Sequence, residues 1–225
     1  MPRPSDPSAR ARLLAGARRI FVDRGLDRAK VEEITQAAGL SKGAFYLHFR
    51  TKEDAFKEIL AGALAELGTI LANSEAARSK VADGGAEAVV EHWLQTDLDI
   101  FESLWKHRSI MRLVLEGGGS PDYHHLIELF ADSAEQMTER LVRFGMKHGY
   151  YRAELEPQQA ALFVAGGYDR VARRLVRERK KPDLLLLLVH AQGLCIHALG
   201  TPAFVRAAAN VHAARLSHSR RAASG

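Results

Sequence analysis

Apolar positions along this chain recur at intervals of three and four residues, which is the spacing of one face of an α-helix. Near the N-terminus, Leu13, Ala17, Ile20 and Phe21 follow this spacing until Gly25 interrupts it. No segment alternates apolar and polar positions over the length of a strand between turn signals. The pattern therefore predicts an all-α fold.

Glycine, proline and capping residues divide the chain into predicted helices. Short helices are expected at 31–38 and 41–48, and a longer one from Thr51 to about Ser74. The polar stretch 73–85 contains glycine and predicts a loop. Further helices are predicted over 86–107, 109–116, 121–148, 157–179 and 183–199.

These elements predict a small module followed by a larger helical bundle. Residues 1–9 are expected to be a disordered arm, and residues 10–55 a three-helix module. The bundle is predicted to span residues 56–202. The segment 203–225 is predicted as a basic, alanine-rich tail that keeps helical potential to about Leu216.

Composition narrows the class of protein. Of 225 residues, 47% are hydrophobic and 26% are charged, which is ordinary for a chain with a sizeable core. Cys195 is the single cysteine, so no intrachain disulfide can form. The start of the chain has no apolar run typical of a signal peptide, and the apolar stretch 184–189 is far shorter than the roughly 20 residues that cross a bilayer. A cytoplasmic protein with no membrane partner is expected.

The charge is unevenly distributed along the chain. Lysine and arginine exceed acidic residues by four in residues 1–54 and by four again in 203–225, whereas residues 55–202 carry three more acids than bases. A cationic N-terminal module indicates a polyanionic partner at that end.

Residues 31–49 carry the most specific pattern. Val31, Ile34 and Ala38 give a short helix an apolar face, and Gly39 suits the left-handed position that ends it. Ser41 is a strong N-cap for the next helix. Two short helices joined by a tight, glycine-containing turn are the helix-turn-helix pattern, in which the second helix enters the major groove of DNA.

The second of these helices carries the candidate DNA contacts. Phe45 and Phe49 lie four residues apart and are expected to anchor the helix in the core. Small residues next to Lys42 would let the helix backbone approach DNA, while lysine, tyrosine and histidine side chains can donate to phosphates or base edges. The outward-facing candidates are Lys42, Gly43, Ala44, Tyr46 and His48.

The following helix adds a further candidate contact. Thr51 is expected to cap it, with Asp54 three residues later as the capping-box partner. Lys52 lies in the first turn, where backbone amides and a cation can together hold a phosphate.

This N-terminal region resembles the TetR-type (tetracycline-repressor-like) regulators over about residues 10–60. The resemblance implies a DNA-binding module, a divergent ligand-binding and dimerisation domain, and a homodimer that binds a palindromic operator. It also implies phosphate contacts for Tyr46, His48 and Lys52, and base-facing positions from Lys42 to Ala44. The matching residues are Phe21, Gly25, Val31, Glu33, Ile34, Ala38, Gly39, Ser41, Gly43, Tyr46, His48, Phe49, Lys52 and Glu53.

Three positions depart from the family pattern. Ala29 and Lys30 stand where the family usually has threonines before the second helix, so the capping hydroxyl is missing. Lys30 is expected to replace that contact electrostatically, and Ser41 and Lys30 complete the predicted DNA-binding set. Thr35 stands where alanine is usual.

The helix at 86–107 is apolar around much of its circumference and includes Asp97, an acid that needs a partner. One hypothesis is a ligand pocket in which Asp97 provides polar selectivity. The alternative is an ordinary core with a structural ion pair from Asp97 to Arg140 or Arg143. The predicted lining residues are Trp93, Asp97, Phe101, Trp105, Met111, Phe130, Met137 and Phe163.

Two further helices carry stripes that favour close packing against another helix. A subunit interface and an intrachain core predict the same pattern, and the family resemblance favours the interface. The predicted interface residues are Val164, Gly167, Val171, Leu175, Leu184, Leu187, Leu188, Ala191, Leu194 and Ala198.

The sequence thus predicts a dimeric regulator, most simply a repressor, that binds a palindromic operator in double-stranded DNA. A small apolar or amphipathic effector is expected to release it. A regulator without an effector stays an alternative, as does a helical carrier or enzyme. No metal site, cofactor or catalytic residue is predicted, because His190, His197 and Cys195 are not joined by a further ligand.

Overall fold

The computed structural model describes residues 7–115 and 121–222, and these residues form helices with no strand. The all-α prediction is confirmed. The helices are α1 (Pro7–Arg24), α2 (Val31–Ala38), α3 (Lys42–His48), α4 (Lys52–Ala82), α5 (Gly85–Leu115), α6 (Pro121–Lys147), α7 (Pro157–Leu175), α8 (Leu184–Leu199) and α9 (Pro202–Ala222).

The chain divides into two compact units. The first comprises residues 1–65 and 107–128, and its core is aromatic at the centre. The rings of Phe21 and Phe56 meet edge to face with centroids 5.4 Å apart, and Tyr123 packs 4.9 Å from Phe56. Phe45 is fully buried in the same unit, so it anchors α3 in the core, as the phenylalanine spacing predicts.

The second unit comprises residues 66–106 and 129–225 and contains two apolar clusters. One cluster surrounds Trp93, whose ring lies 5.6 Å from that of Phe204 and 5.7 Å from that of Tyr151. The other cluster contains Phe101 and Leu188.

The loop predicted at residues 73–85 is wrong, because α4 continues to Ala82. Its polar residues are satisfied by neighbouring helices: Ser74 Oγ lies 2.8 Å from Thr96 Oγ1, and Glu75 accepts a hydrogen bond from Arg140 at 2.7 Å. Polar residues that bond across helices look like loop residues in sequence, since a sequence does not show their tertiary partners.

Two other predicted boundaries differ from the structure. The break between the helices predicted at 86–107 and 109–116 does not exist, because α5 runs continuously from Gly85 to Leu115. The segment expected to be a tail is the helix α9. It belongs to the second unit and contributes Phe204 and Ala208 to one of its apolar clusters. In addition, α7 ends at Leu175 rather than at 179.

Within the described residues, no helix has the length and apolar character needed to span a membrane. Nor do the histidine, cysteine, aspartate and glutamate side chains of those residues gather into a group that could hold a metal ion.

Candidate nucleic-acid interface

The first helix of the helix-turn-helix, α2, packs closely against α1 at Gly16. A Cβ atom at this position would lie 2.8 Å from Ile34 O and 3.1 Å from Ala38 N. Only glycine lets the two backbones come this close without a shift. The position of α2 therefore depends on a residue that the sequence pattern did not single out.

The turn after α2 is held by its own glycine and by Arg12. Gly39 has φ 64° and is left-handed, as predicted for the residue that ends α2. The Arg12 guanidinium donates to Ala38 O at 2.8 Å and to Gly39 O at 3.0 Å. Arg12 thus satisfies carbonyls that the helix end leaves without intrahelical partners.

Ser41 caps α3, as predicted: its hydroxyl oxygen accepts a hydrogen bond from Ala44 N at 3.1 Å. Phe45 and Phe49 are both buried, with ring centroids 5.5 Å apart. Because these two residues face the core, the opposite side of α3 faces outward.

That outward side defines the candidate interface, which we call the α3 face: Lys42, Gly43, Tyr46 and Leu47. Tyr46 is 52% exposed and Leu47 is 80% exposed. An isolated leucine with so much exposed surface on a short helix gains nothing from the fold of the chain. The sequence analysis missed Leu47, although its position midway between Phe45 and Phe49 places it opposite the buried edge of the helix.

Gly43 differs from Gly16 in what surrounds it. A Cβ atom at Gly43 would meet only Ser41 Oγ, at 3.8 Å, which is an ordinary contact distance. The chain itself therefore gives no reason for glycine at this position, and α3 would be more stable with alanine.

Lys42, predicted to reach a base edge or a phosphate, is paired with an acid in the structure. Its Nζ atom lies 2.5 Å from Glu32 Oε1, and both side chains are exposed. This hydrogen bond lowers the pKa of Glu32 and raises the pKa of Lys42. A phosphate would have to displace Glu32 or share the ammonium group with it.

Lys52 is engaged inside the unit. Its Nζ atom donates to Asp27 O at 2.8 Å and to Ala29 O at 3.0 Å, so it holds the loop between α1 and α2 in place. The predicted capping box beside it is present, since Thr51 N and Asp54 Oδ2 are 3.1 Å apart and Asp54 N and Thr51 Oγ1 are also 3.1 Å apart. Phosphate binding by Lys52 stays a prediction, with two of the three ammonium hydrogens already used.

Lys30 precedes α2 and is exposed. Its backbone N donates to Glu33 Oε2 at 3.1 Å, which is one half of a capping box. Since a lysine side chain has no acceptor, the reciprocal bond to the helix is missing. Of the other predicted contacts, Ala44 and His48 are half-buried, with the His48 ring tilted against Phe49.

Asp97 in the second unit has a different partner from those predicted. It accepts a hydrogen bond from the Tyr168 hydroxyl at 2.7 Å. The two arginines considered for it are bonded elsewhere, Arg140 to Glu75 and Arg143 to Glu139. The ion pair between Asp97 and an arginine is therefore wrong, and burial raises the pKa of Asp97 to about 7 against the opposing effect of the Tyr168 hydrogen bond.

The structure separates the residues predicted to line a pocket. Trp93 and Phe101 are buried in different clusters, while Met111 lies in the first unit. Trp105, Phe130 and Met137 are half-buried. Phe163 is 79% exposed on α7, so it faces solvent in this chain instead of an interior wall.

The predicted interface residues also separate into two groups. Leu175, Leu184 and Leu188 are buried within the chain, and Leu188 has no exposed surface at all, so these three are core residues. Val164, Val171, Leu187 and Ala191 are half-buried, whereas Gly167, Leu194 and Ala198 are exposed. Helical periodicity identified one stripe on each helix but did not show which of its residues face the chain's own core.

Three kinds of comparison show which known proteins this chain is similar to. Residues 13–59 match the family described as bacterial regulatory proteins, tetR family. The HTH-type transcriptional repressor Rv1474c of Mycobacterium tuberculosis is 37% identical over 107 residues, 46% of this chain and 57% of that protein. The repressor KstR2 of Rhodococcus jostii is 28% identical over 177 residues, which is 72% of this chain and 80% of its own length.

A solved structure shares the fold. The chain in the SmeT–triclosan complex superposes with a TM-score of 0.70 at 19% identity, covering 88% of this chain and 94% of that one. The two proteins with similar sequences are named as transcriptional repressors. The match to the tetR family thus covers residues 13–59, and the fold shared with the solved structure extends over most of the chain.

Proposed function

We propose that this chain is a dimeric transcriptional repressor that binds a palindromic operator through α3 and is released by a small effector. The observation that carries the proposal is the α3 face, where Lys42, Tyr46 and Leu47 lie on a capped helix whose other side is fixed in the core. Such a helix can enter a major groove without unfolding any part of its own unit.

The α3 face has the chemistry that operator binding needs. Tyr46 and Lys42 can donate to phosphates or base edges, and Leu47 can contact a thymine methyl group. Gly43 would let the helix backbone lie against the DNA. Similarity to two proteins named as transcriptional repressors supports repression as the outcome of binding.

Selection of genomic DNA fragments by the purified protein tests operator binding. We expect the retained fragments to share an imperfect palindrome, and the double variant Lys42→Ala/Tyr46→Phe to retain far less of it. Lys80→Ala is the matched control, because Lys80 is an exposed lysine at the far end of α4. Fragments without a common motif, or equal losses with the control, would contradict specific binding by the α3 face.

An exposed apolar patch on α7 and α8 supports the dimer. We call it the α7–α8 face: Leu162, Phe163, Leu186 and Leu194. Phe163 and Leu194 are 79% and 75% exposed, and the exposed Gly166 and Gly167 leave room for a helix to approach. Large exposed apolar side chains on two helices that contact each other indicate an interaction surface, and a second copy would supply the same residues in a two-fold interface.

Sedimentation measurements on Phe163→Asp test this interface. A charge here should convert the dimer to a monomer and weaken binding to a palindrome much more than binding to a half-site. Leu129→Asp is the matched control, because Leu129 is a 49% exposed leucine on α6, which is not one of the two helices of this face. A Phe163→Asp protein that stays dimeric would place the interface elsewhere.

An effector acts only through its different affinity for the DNA-bound and released conformations. The linkage is reciprocal, so saturating operator DNA should weaken effector binding by the same factor by which the effector weakens operator binding. Calorimetric titration of an effector with and without operator measures both. Equal effector affinity in the two titrations would support the alternative of a regulator without effector control.

A further inference from the structure

Asp97 is an enclosed carboxyl without a cation. Its hydrogen-bond partner is Tyr168, and among the described residues no lysine, arginine or histidine pairs with it. Burial of Asp97 disfavours its charged form. Asp97 and Tyr168 nevertheless both keep some accessible surface. Neither residue is therefore fully enclosed by the chain.

Aromatic rings flank this carboxyl on the same face of α5. Trp93 is four residues before Asp97 and Phe101 four residues after it, so all three project to one side of the helix. Each ring is paired with a tyrosine: Trp93 lies 5.7 Å from Tyr151, and Phe101 lies 6.1 Å from Tyr168. Aromatic faces attract cations and apolar groups, whereas a carboxylate attracts only the cations.

The titratable groups around Asp97 are uncharged at neutral pH. Tyr168 on α7, Tyr151 before α7 and Cys195 on α8 all have a pKa raised by burial, with the charge of Asp97 adding to the effect. None of these groups can neutralise a carboxylate. A negative charge on Asp97 therefore has no compensating group within the described part of the unit.

We propose that Asp97, with Tyr168 and the aromatic residues beside it, binds the positive charge of an apolar organic cation. The proposal rests on the effector-binding role proposed above and names the chemical class of the effector. Such a cation would supply the charge that the unit lacks and place its apolar body against the half-buried Tyr168. An anionic ligand of the same size and shape would meet the carboxylate without any cation to offset it.

Two matched probes test the sign of the charge. Tetraphenylphosphonium and tetraphenylborate have nearly the same size and shape and opposite charges, and neither titrates. Calorimetry in sodium buffer should show binding of tetraphenylphosphonium and at least tenfold weaker binding of tetraphenylborate. Binding of the cation should be about tenfold tighter at pH 8 than at pH 6, because a carboxyl with a pKa of about 7 is mostly protonated at pH 6.

Variants identify the carboxyl responsible. Asp97→Asn should weaken tetraphenylphosphonium binding at least tenfold at pH 8 and remove its pH dependence. Tyr168→Phe keeps the acid and removes only the hydrogen bond, so it should preserve the preference for the cation. Asp99→Asn is the matched control, because Asp99 is exposed on the same helix and bonds to Gln95; it should bind like the unsubstituted protein.

The outcomes separate this proposal from the proposed function. Equal cation binding by Asp97→Asn, or tighter binding of the borate, overturns the cation site even if the protein binds its operator. Cation binding that depends on Asp97 but leaves operator affinity unchanged upholds the site and contradicts its role in release. Circular dichroism of each variant shows that a loss of binding is not a loss of fold.

Discussion

The two units treat their enclosed polar groups differently. In the first unit, Thr35 is buried but donates to Glu32 O at 3.0 Å, and the buried His107 contacts Arg18. In the second unit, Asp97 has no cation and Gln192 Nε2 is buried without a hydrogen-bond partner in the described residues. Buried polar groups normally have hydrogen-bond partners. A buried group without one lowers the stability of the fold, which indicates a role other than stabilisation.

This difference indicates where the candidate functional groups of each unit lie. The first unit is satisfied inside and carries its candidate chemistry on the outside, on the α3 face. The second unit has its unmatched groups inside, where a ligand or a change of pH can act on them.

The largest expected effect is on the stability of the second unit after Asp97→Asn. Because folding raises the pKa of Asp97 from 3.8 to about 7, the folded state binds this proton more tightly than the unfolded state. The resulting stability is fully present below pH 3.8 and is lost as the pH rises towards 7. Asparagine does not titrate, so its advantage over aspartate should grow by about 3 kcal/mol between pH 5 and pH 8, at 1.36 kcal/mol per pH unit.

Urea unfolding at the two pH values measures this advantage. Asp99→Asn serves as the control, since an exposed acid should give a nearly constant difference. If the unfolding free energies of the Asp97→Asn protein and the unsubstituted protein changed in parallel with pH, Asp97 would be an ordinary ionised carboxylate.

The next effect separates two glycines of the first unit. Gly16→Ala would place a methyl group 2.8 Å from Ile34 O, and such overpacking should lower the unfolding free energy by about 1 to 3 kcal/mol. Gly43→Ala meets no close atom and should leave stability unchanged or raise it by up to about 1 kcal/mol. It should nevertheless weaken operator binding, because the added methyl group would lie between α3 and the DNA.

Thermal unfolding and a DNA titration of both variants test this separation. A Gly43→Ala protein that binds DNA normally would mean that the α3 backbone does not approach the duplex closely. A Gly16→Ala protein of full stability would mean that α1 and α2 can move apart without cost.

The same contrast explains how much the sequence revealed. Ser41, Gly39 and the Thr51–Asp54 capping box act through bonds to residues three or four positions away, so their types and spacing were enough to predict them. Arg12 and Lys52 act across 26 and 23 to 25 positions, and nothing in their local sequence indicates which carbonyls they reach.

The second unit was harder to predict for the same physical reason. Tyr168 bonds to an acid 71 positions away, and a helix that is apolar on most sides does not show which stripe meets its own chain. Phe163, which is exposed, was predicted to line an interior pocket. Leu188, which is buried in the chain's own core, was predicted to lie in a subunit interface.

A smaller effect is expected from His212, which is buried against Gln192 with 2.7 Å between Nε2 and Oε1. Burial lowers its pKa, and the charges of His197 and His190 lower it further. The unfolded state therefore binds this proton more readily, so stability should fall as the pH drops below 6.5. Replacing His212 by Gln should remove this part of the loss between pH 7 and pH 5.

His218→Gln is the control for this measurement, because His218 is exposed on the same helix and should not contribute. Urea unfolding at both pH values gives the comparison. An identical loss of stability in all three proteins would assign the pH dependence to other groups.

The smallest effect concerns Glu32, which is paired with Lys42 on the outside of the first unit. Glu32→Gln removes a negative charge from the DNA-facing side and frees the lysine, so DNA binding at low salt should tighten roughly two- to fivefold. The gain should shrink at high salt, where exposed charges are screened. Glu139→Gln, which breaks the ion pair with Arg143 in the second unit, is the matched control. Fluorescence anisotropy with a labelled duplex distinguishes the outcomes: equal tightening by both variants would indicate a general effect of net charge, and no tightening by Glu32→Gln would mean that Lys42 does not reach the DNA.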